Sequence, residues 1–226
     1  MYVMTLHRSS IGKKVIMALT GVIWLGFVFL HMYGNLKAFL GPEYFNAYAE
    51  GLRTLGAPVF GHLHLLILTR IILISAVVLH IWSAYALTQQ ANQARPANYI
   101  VKKHVQASYA SVTMRWGGVV ILIFLIYHLM QLTWGVPVAP GGFTRGDAYH
   151  NLVTAFHFLP GTLLYLLGVT ALGFHLYHGT FSACQTLGLN NQNTETPIKA
   201  AALALALVIA IGFAVVPIAV VVGIIS

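Results

Sequence analysis

Residues Val15 to Leu40 read VIMALTGVIWLGFVFLHMYGNLKAFL, a stretch with one charge, Lys37, and one histidine, His31. About 20 apolar residues wound as a helix cross a hydrocarbon core roughly 30 Å thick, and this run exceeds that length. It is preceded by the basic segment Met1 to Lys14 and lacks a small-residue cleavage site, so it reads as a retained first helix and not as a signal peptide. Four further runs repeat the pattern, from about His62 to Leu87, Ser111 to Trp134, Phe156 to Gln185 and Ala200 to Ile225. Turn residues separate them: Gly41-Pro42, Arg95-Pro96, Pro137 with Pro140-Gly141-Gly142, and Pro197. The prediction is an all-α integral membrane protein of five transmembrane helices.

Composition agrees. Of 226 residues, 58% are apolar and 7% charged, where a soluble domain carries about 25% charged residues. Mean hydropathy is +0.80. These values exclude an ordinary soluble domain and a disordered chain, and they leave residues 1–226 as a single transmembrane domain. The net charge is +8, but no Lys/Arg run exceeds two residues, which argues against nucleic acid as a partner. The lone cysteine, Cys184, excludes an internal disulfide and a Cys-ligated cluster. Arg8, Lys13, Lys14, Arg95, Lys102, Lys103, Arg115 and Lys199 fall on the N-terminal side, against Lys37, Arg53 and Arg145 opposite. That bias predicts an inner N-terminus.

Ionisable side chains within membrane helices are costly and mark function. The first four spans each carry one histidine well away from their ends: His31, His80, His128 and His175. Imidazole is the common haem-iron ligand in such a bundle, and a bis-histidine haem takes one from each of two facing helices. At a rise of 1.5 Å per residue, His31 and His128 lie about 20–25 Å from the inner anchors. His80 and His175 lie about 12–15 Å from the inner edge. The four histidines thus form two depth pairs, and two haems stacked across the membrane would form an electron wire through a bundle of the first four spans. The competing reading makes these imidazoles hydrogen-bonding or proton-relay groups.

Other residues leave alternatives open. His178 shares a helix face with His175 and could replace it, meet a propionate or point to the interface. His62, His64, His150 and His157 lie at outer span ends, as interfacial residues or as proton or hydrogen-bond partners of a quinone. Arg70, about two turns into the second span, needs a counter-charge, either a propionate of the outer haem or the lipid headgroups. The glycines of the first, third and fourth spans suit close helix packing as well as room for a porphyrin. Trp116 and Trp134 suit the interfacial belt.

Several motifs also carry a family likeness: Lys13-Lys14 before Met17-Ala18-Leu19-Thr20-Gly21, then His31-Met32-Tyr33-Gly34-Asn35, then Gly173-Phe174-His175-Leu176-Tyr177-His178-Gly179, and Ser182 to Asn190. Through them the chain resembles the five-helix, di-haem cytochrome b membrane anchor of bacterial succinate dehydrogenase and fumarate reductase. The resemblance implies two b haems, the proximal one on His80 and His175 and the distal one on His31 and His128. It further implies a flavoprotein subunit carrying FAD and an iron–sulfur subunit on the inner face of the bacterial cell membrane, and a quinone, by analogy menaquinone. Arg95, Lys102 and Lys103 are a candidate docking surface or, equally, loop charges that serve topology alone. For the quinone, Glu50, His62 and His64 are the candidates. Two rival readings are a stand-alone di-haem cytochrome, and a haem-free anchor or proton-coupled transporter with relay histidines.

Overall fold

The computed structural model describes residues 8–94, 109–138 and 140–226, with the backbone alone for 109–113. The proposed docking residues Arg95, Lys102 and Lys103 lie outside these. Among the described residues the protein is helical, with no strand. Seven α-helices follow in order: α1 Ser10–Leu36, α2 Pro42–Arg53, α3 His64–Gln93, α4 Tyr109–Leu132, α5 Ala148–His157, α6 Leu159–Thr186 and α7 Glu195–Val221. A 3-10 turn, Lys37–Leu40, extends α1. Five of these helices are long and apolar enough to cross a membrane, namely α1 with its 3-10 turn, α3, α4, α6 and α7. In lipid only such helices or closed barrels satisfy their own backbone, so the long apolar runs take this form.

The ends differ from the sequence reading for local reasons. Helix α1 begins at Ser10, not at Val15, because the Ser9 hydroxyl accepts from the Gly12 amide at 2.9 Å and caps the helix. The first turns thereby take in Lys13, whose stem is buried while its ammonium reaches the Arg8 carbonyl oxygen at 3.5 Å. Helix α3 runs on to Gln93 and α7 starts at Glu195, since their polar ends remain helical past the apolar run. The fourth span starts at Leu159. Phe156 belongs to the separate helix α5, and the chain breaks at Phe158, with Leu159-Pro160 opening α6.

Packing follows the small residues. Helix α7 buries Ala202, Ala206, Ile209, Val216 and Val220, a stripe at helical spacing, against α6 and α1. A Cβ on Gly173 of α6 would meet the Ala210 methyl at 3.3 Å, so these two backbones approach as closely as glycine permits. Helix α1 packs on α3, α6 and α7, and α4 packs on α6. Among the described residues α3 makes no comparable contact with α4 or α6, and α1 makes none with α4. The first four spans therefore form a bundle joined along three sides, with α1–α4 and α3–α6 as its diagonals.

The two short helices α2 and α5 lie at the end of the bundle away from Ser10, here called the far end. Asp147 caps α5, its carboxylate accepting from the His150 amide at 2.9 Å and from the Asn46 side-chain amide of α2 at 3.0 Å. Asn46 in turn accepts from the Tyr149 amide at 2.9 Å, and the Tyr149 hydroxyl donates to the Ser226 carbonyl oxygen at 3.2 Å. Phe45, Tyr149, Leu152, Phe156, Tyr165, Val216 and Val220 fill the core beneath.

These donors, the His150 amide first, hold the Asp147 carboxyl below the usual carboxylate range. Its contribution is present above the unfolded value of about 3.9 and disappears as pH falls through the lowered folded value. Asp147→Ala is expected to lower stability at neutral pH by about 1–2 kcal/mol, the cost of a lost cap. Thermal unfolding in detergent checks this, and the gap between variant and wild type should close in strong acid.

Candidate functional site

Helical periodicity turns the four span histidines toward one another in two places. His31 of α1 and His128 of α4 face each other across one diagonal, ring centroids 5.8 Å apart. His80 of α3 and His175 of α6 face each other across the other, centroids 6.1 Å apart. Each pair thus spans two helices that do not pack directly on each other. The fifth span, α7, contributes no histidine but sets Phe213 against His31 at 5.9 Å.

Neighbouring groups orient the rings. His80 Nδ1 lies 3.1 Å from the Met17 carbonyl oxygen and 3.2 Å from the Thr20 hydroxyl. In the tautomer that donates from Nδ1 to this carbonyl, Nε2 is left bare as a ligand nitrogen. Gly21, one residue past Thr20, lies against the same ring, and a Cβ there would stand 3.5 Å from His80 Cε1. His128 Nδ1 lies 3.3 Å from the Tyr165 hydroxyl. Tyr165 sits in an aromatic nest with Phe124, Tyr127 and Phe156. Phe27 stacks on His31 with centroids 5.3 Å apart and rings 13° from parallel. His175 Nδ1 is buried with no hydrogen-bond partner among the described residues.

No group of three or more His, Cys, Asp or Glu capable of holding a metal ion occurs among the described residues. Each pair therefore offers two imidazoles. That is too few for a tetrahedral zinc site, and it suits a metal whose remaining ligands come from a macrocycle. Two imidazoles sharing one metal, with metal–nitrogen bonds of about 2 Å, bring their ring centroids to about 6 Å.

The remaining candidates fall elsewhere. Arg70 is exposed on α3 and makes no ion pair among the described residues. His178 is part-buried on α6, one turn past His175. Glu50 near the end of α2 pairs with Arg53 at 2.7 Å and with His62 at 3.5 Å, so the fold brings Glu50 and His62 together on an exposed edge. His64 is not part of that pair, and its Nδ1 accepts from the Gly61 amide at 3.2 Å. The sequence reading passed over Tyr165, and it quoted Met17 and Thr20 as part of a motif without a role for either. A hydroxyl in an apolar span must find a partner, and that was the available signal for Tyr165.

Five membrane-length helices with polar side chains converging between them define a membrane-embedded helical-bundle subunit. A family model described as the succinate dehydrogenase/fumarate reductase transmembrane subunit matches residues 88–215. The chain belongs to that family. The matched stretch contains His128 and His175, while His31 and His80 precede it. No curated protein and no solved structure matches the chain.

Gly168 is where α6 lets α4 pack closely beside the far-end histidine pair. A Cβ there would collide with the base of the Phe124 ring, which packs against both His128 and Tyr165. Gly168→Ala is expected to destabilise the bundle by about 1–3 kcal/mol through overpacking, read as a lower melting midpoint in detergent.

Proposed function

We propose that this family member is the electron-conducting membrane anchor of a succinate:quinone oxidoreductase, with two b haems held by His31 with His128 and by His80 with His175. The observation that carries the reading is the pair of imidazole contacts across the bundle's diagonals, 5.8 and 6.1 Å between centroids. At that spacing the two imidazoles of each pair would hold one haem iron between them. Bound haem supplies reversible one-electron chemistry. The chain's own residues do the rest. His80, with its Nδ1 bonded to the Met17 carbonyl, and His128, with its Nδ1 beside the Tyr165 hydroxyl, are oriented ligands whose basicity those partners set. Phe27, Phe213 and Phe124 pack against the far-end pair.

In this reading the anchor binds a flavoprotein subunit with FAD and an iron–sulfur subunit on the N-terminal side of a bacterial cell membrane. Succinate gives fumarate, two electrons and two protons on those subunits, and a quinone takes up two electrons and two protons to form the quinol. The reverse flow is fumarate reduction. Menaquinone is the quinone that family analogy favours. Glu50 and His62 are one place where quinone and water could meet. The Arg53 hydrogen bond, the larger cause, and the His62 contact hold the Glu50 carboxyl below its usual range. Glu50 is thus ionised at neutral pH and holds no proton to give a quinone.

The complex purified through this subunit is expected to yield two b haems per chain by pyridine haemochrome, beside a large flavoprotein and a smaller iron–sulfur protein. His80→Ala or His175→Ala should remove one haem and His31→Ala or His128→Ala the other. A His80→Ala complex that kept both low-spin signals would overturn the pairing. Two haems without the partner chains would favour a stand-alone cytochrome, and no haem would return the histidines to a relay role.

A further inference from the structure

Toward the Ser10 end of the bundle a cation is buried without an anion. Lys13 of α1 is only 8% exposed. Its hydrogen-bond partner among the described residues is the Arg8 carbonyl oxygen at 3.5 Å, longer than the span of about 2.7–3.2 Å usual for such a bond. An ammonium has three donors, and a buried charge without a partner is costly. The chain's own acidic side chains stand elsewhere. They are Glu43, Glu50, Asp147 and Glu195. The first two lie on α2 and Asp147 caps α5, all at the far end, while Glu195 pairs with Lys199 at 2.6 Å.

The place of Lys13 points to what answers its charge. Four and seven residues before Met17 and Thr20, it lies on the face of α1 that holds the His80 ring. The rise from Lys13 to Met17 is about 6 Å. On α3, Ser83 stands three residues past His80, in the inward stripe of Leu73, Ala76 and Ser83. It is 0% exposed, and its hydroxyl has no hydrogen-bond partner among the described residues. A hydroxyl inside a helix can satisfy itself on the carbonyl one turn back, as Thr69 and Thr88 do on this same helix at 2.9 and 2.8 Å. Ser83 does not. Because α1 and α3 run in opposite directions, Lys13 and Ser83 both fall on the Ser10 side of the His80–His175 pair.

We propose that Lys13 is the counter-charge of a haem propionate at the His80–His175 pair, with the Ser83 hydroxyl as a second donor to the same carboxylate. The inference rests on the haem reading above and adds what holds the rim of the group. A carboxylate only accepts, and here two helices offer it two donors, one of them charged. No other buried Lys or Arg occurs among the described residues. Arg70, which the sequence offered for such a role, is exposed instead. The flexible four-carbon stem of Lys13 lets its ammonium exchange the long Arg8 contact for the carboxylate.

The test uses the whole complex purified through this subunit and an optical redox titration of its b haems. His80→Ala, titrated in parallel, is expected to keep the far-end haem alone, which tells the two midpoints apart. Lys13→Gln is expected to retain both haems and to lower the near-end midpoint, because removing a positive charge favours the ferric state. The reduced-to-oxidised ratio at a fixed potential falls about tenfold, which is about 59 mV for a one-electron couple. The far-end midpoint stays unchanged, and Lys13→Arg, which keeps the charge, keeps the wild-type value. Ser83→Ala should lower the same ratio about threefold, the loss of one hydrogen bond, and it carries the test should Lys13→Gln fail to assemble. Phospholipid phosphorus per complex is measured on the same samples. Wild-type midpoints in the variant that assembles overturn the proposal and leave the anchor reading in place. One phosphorus lost per complex alongside unchanged midpoints overturns it in favour of a lipid phosphate on Lys13. A wild-type complex without haem overturns both readings.

Discussion

An imidazole among apolar helices needs partners from facing helices, because no water reaches it there. Helix α1 stands where both histidine pairs meet that need. It packs on α3, α6 and α7. Through the Met17 carbonyl and the Thr20 hydroxyl it fixes the ring of His80, a residue of α3. About three turns past Thr20 it presents His31 to His128 of α4. Gly21 lies against the His80 ring, where even a Cβ would make ordinary contact at 3.5 Å. One helix thus sets the position of three of the four rings. The spacing of His31 from Met17 and Thr20 along it sets the vertical separation of the two pairs.

The diagonal arrangement has a physical reason. Side chains as long as histidine cannot oppose one another between helices whose backbones touch. Close packing uses small residues: Gly168 accommodates the Phe124 ring on the α6–α4 side, and Gly173 and Ala210 bring α6 onto the fifth span, α7. The histidines fall on the longer distances, where two rings end to end span the gap. Close packing on the sides and reach across the diagonals are two consequences of one geometry.

The far end is organised differently. Polar groups there are wet enough to form a conventional network, in which Asp147 and Asn46 tie α5 to α2 and Tyr149 ties α5 to the Ser226 carbonyl. Helices α2 and α5 are 12 and 10 residues long, with exposed polar faces, and neither could cross a membrane. A search for long apolar runs passes over both. Their local signals were nonetheless present: Pro42 in the first turn of α2, and Asp147 three residues before His150 as the α5 cap. Merging α5 into the fourth span placed Phe156 in the wrong helix, because the apolar run continues through the break at Phe158.

The sequence by itself determined the five spans, since about twenty apolar residues have no other stable form in lipid. It also determined the depths of His31, His80, His128 and His175, because a helix rises by a constant amount per residue. Depth alone already sorted the four into two pairs. Rotation about each helix axis was not legible, since it depends on which small residues meet which large ones across helices distant in the chain. Tertiary structure therefore decided that the rings face each other, that Met17 and Tyr165 approach Nδ1 of His80 and His128, and that Glu50 and His62 meet while Arg70 stands exposed, without an ion pair among the described residues.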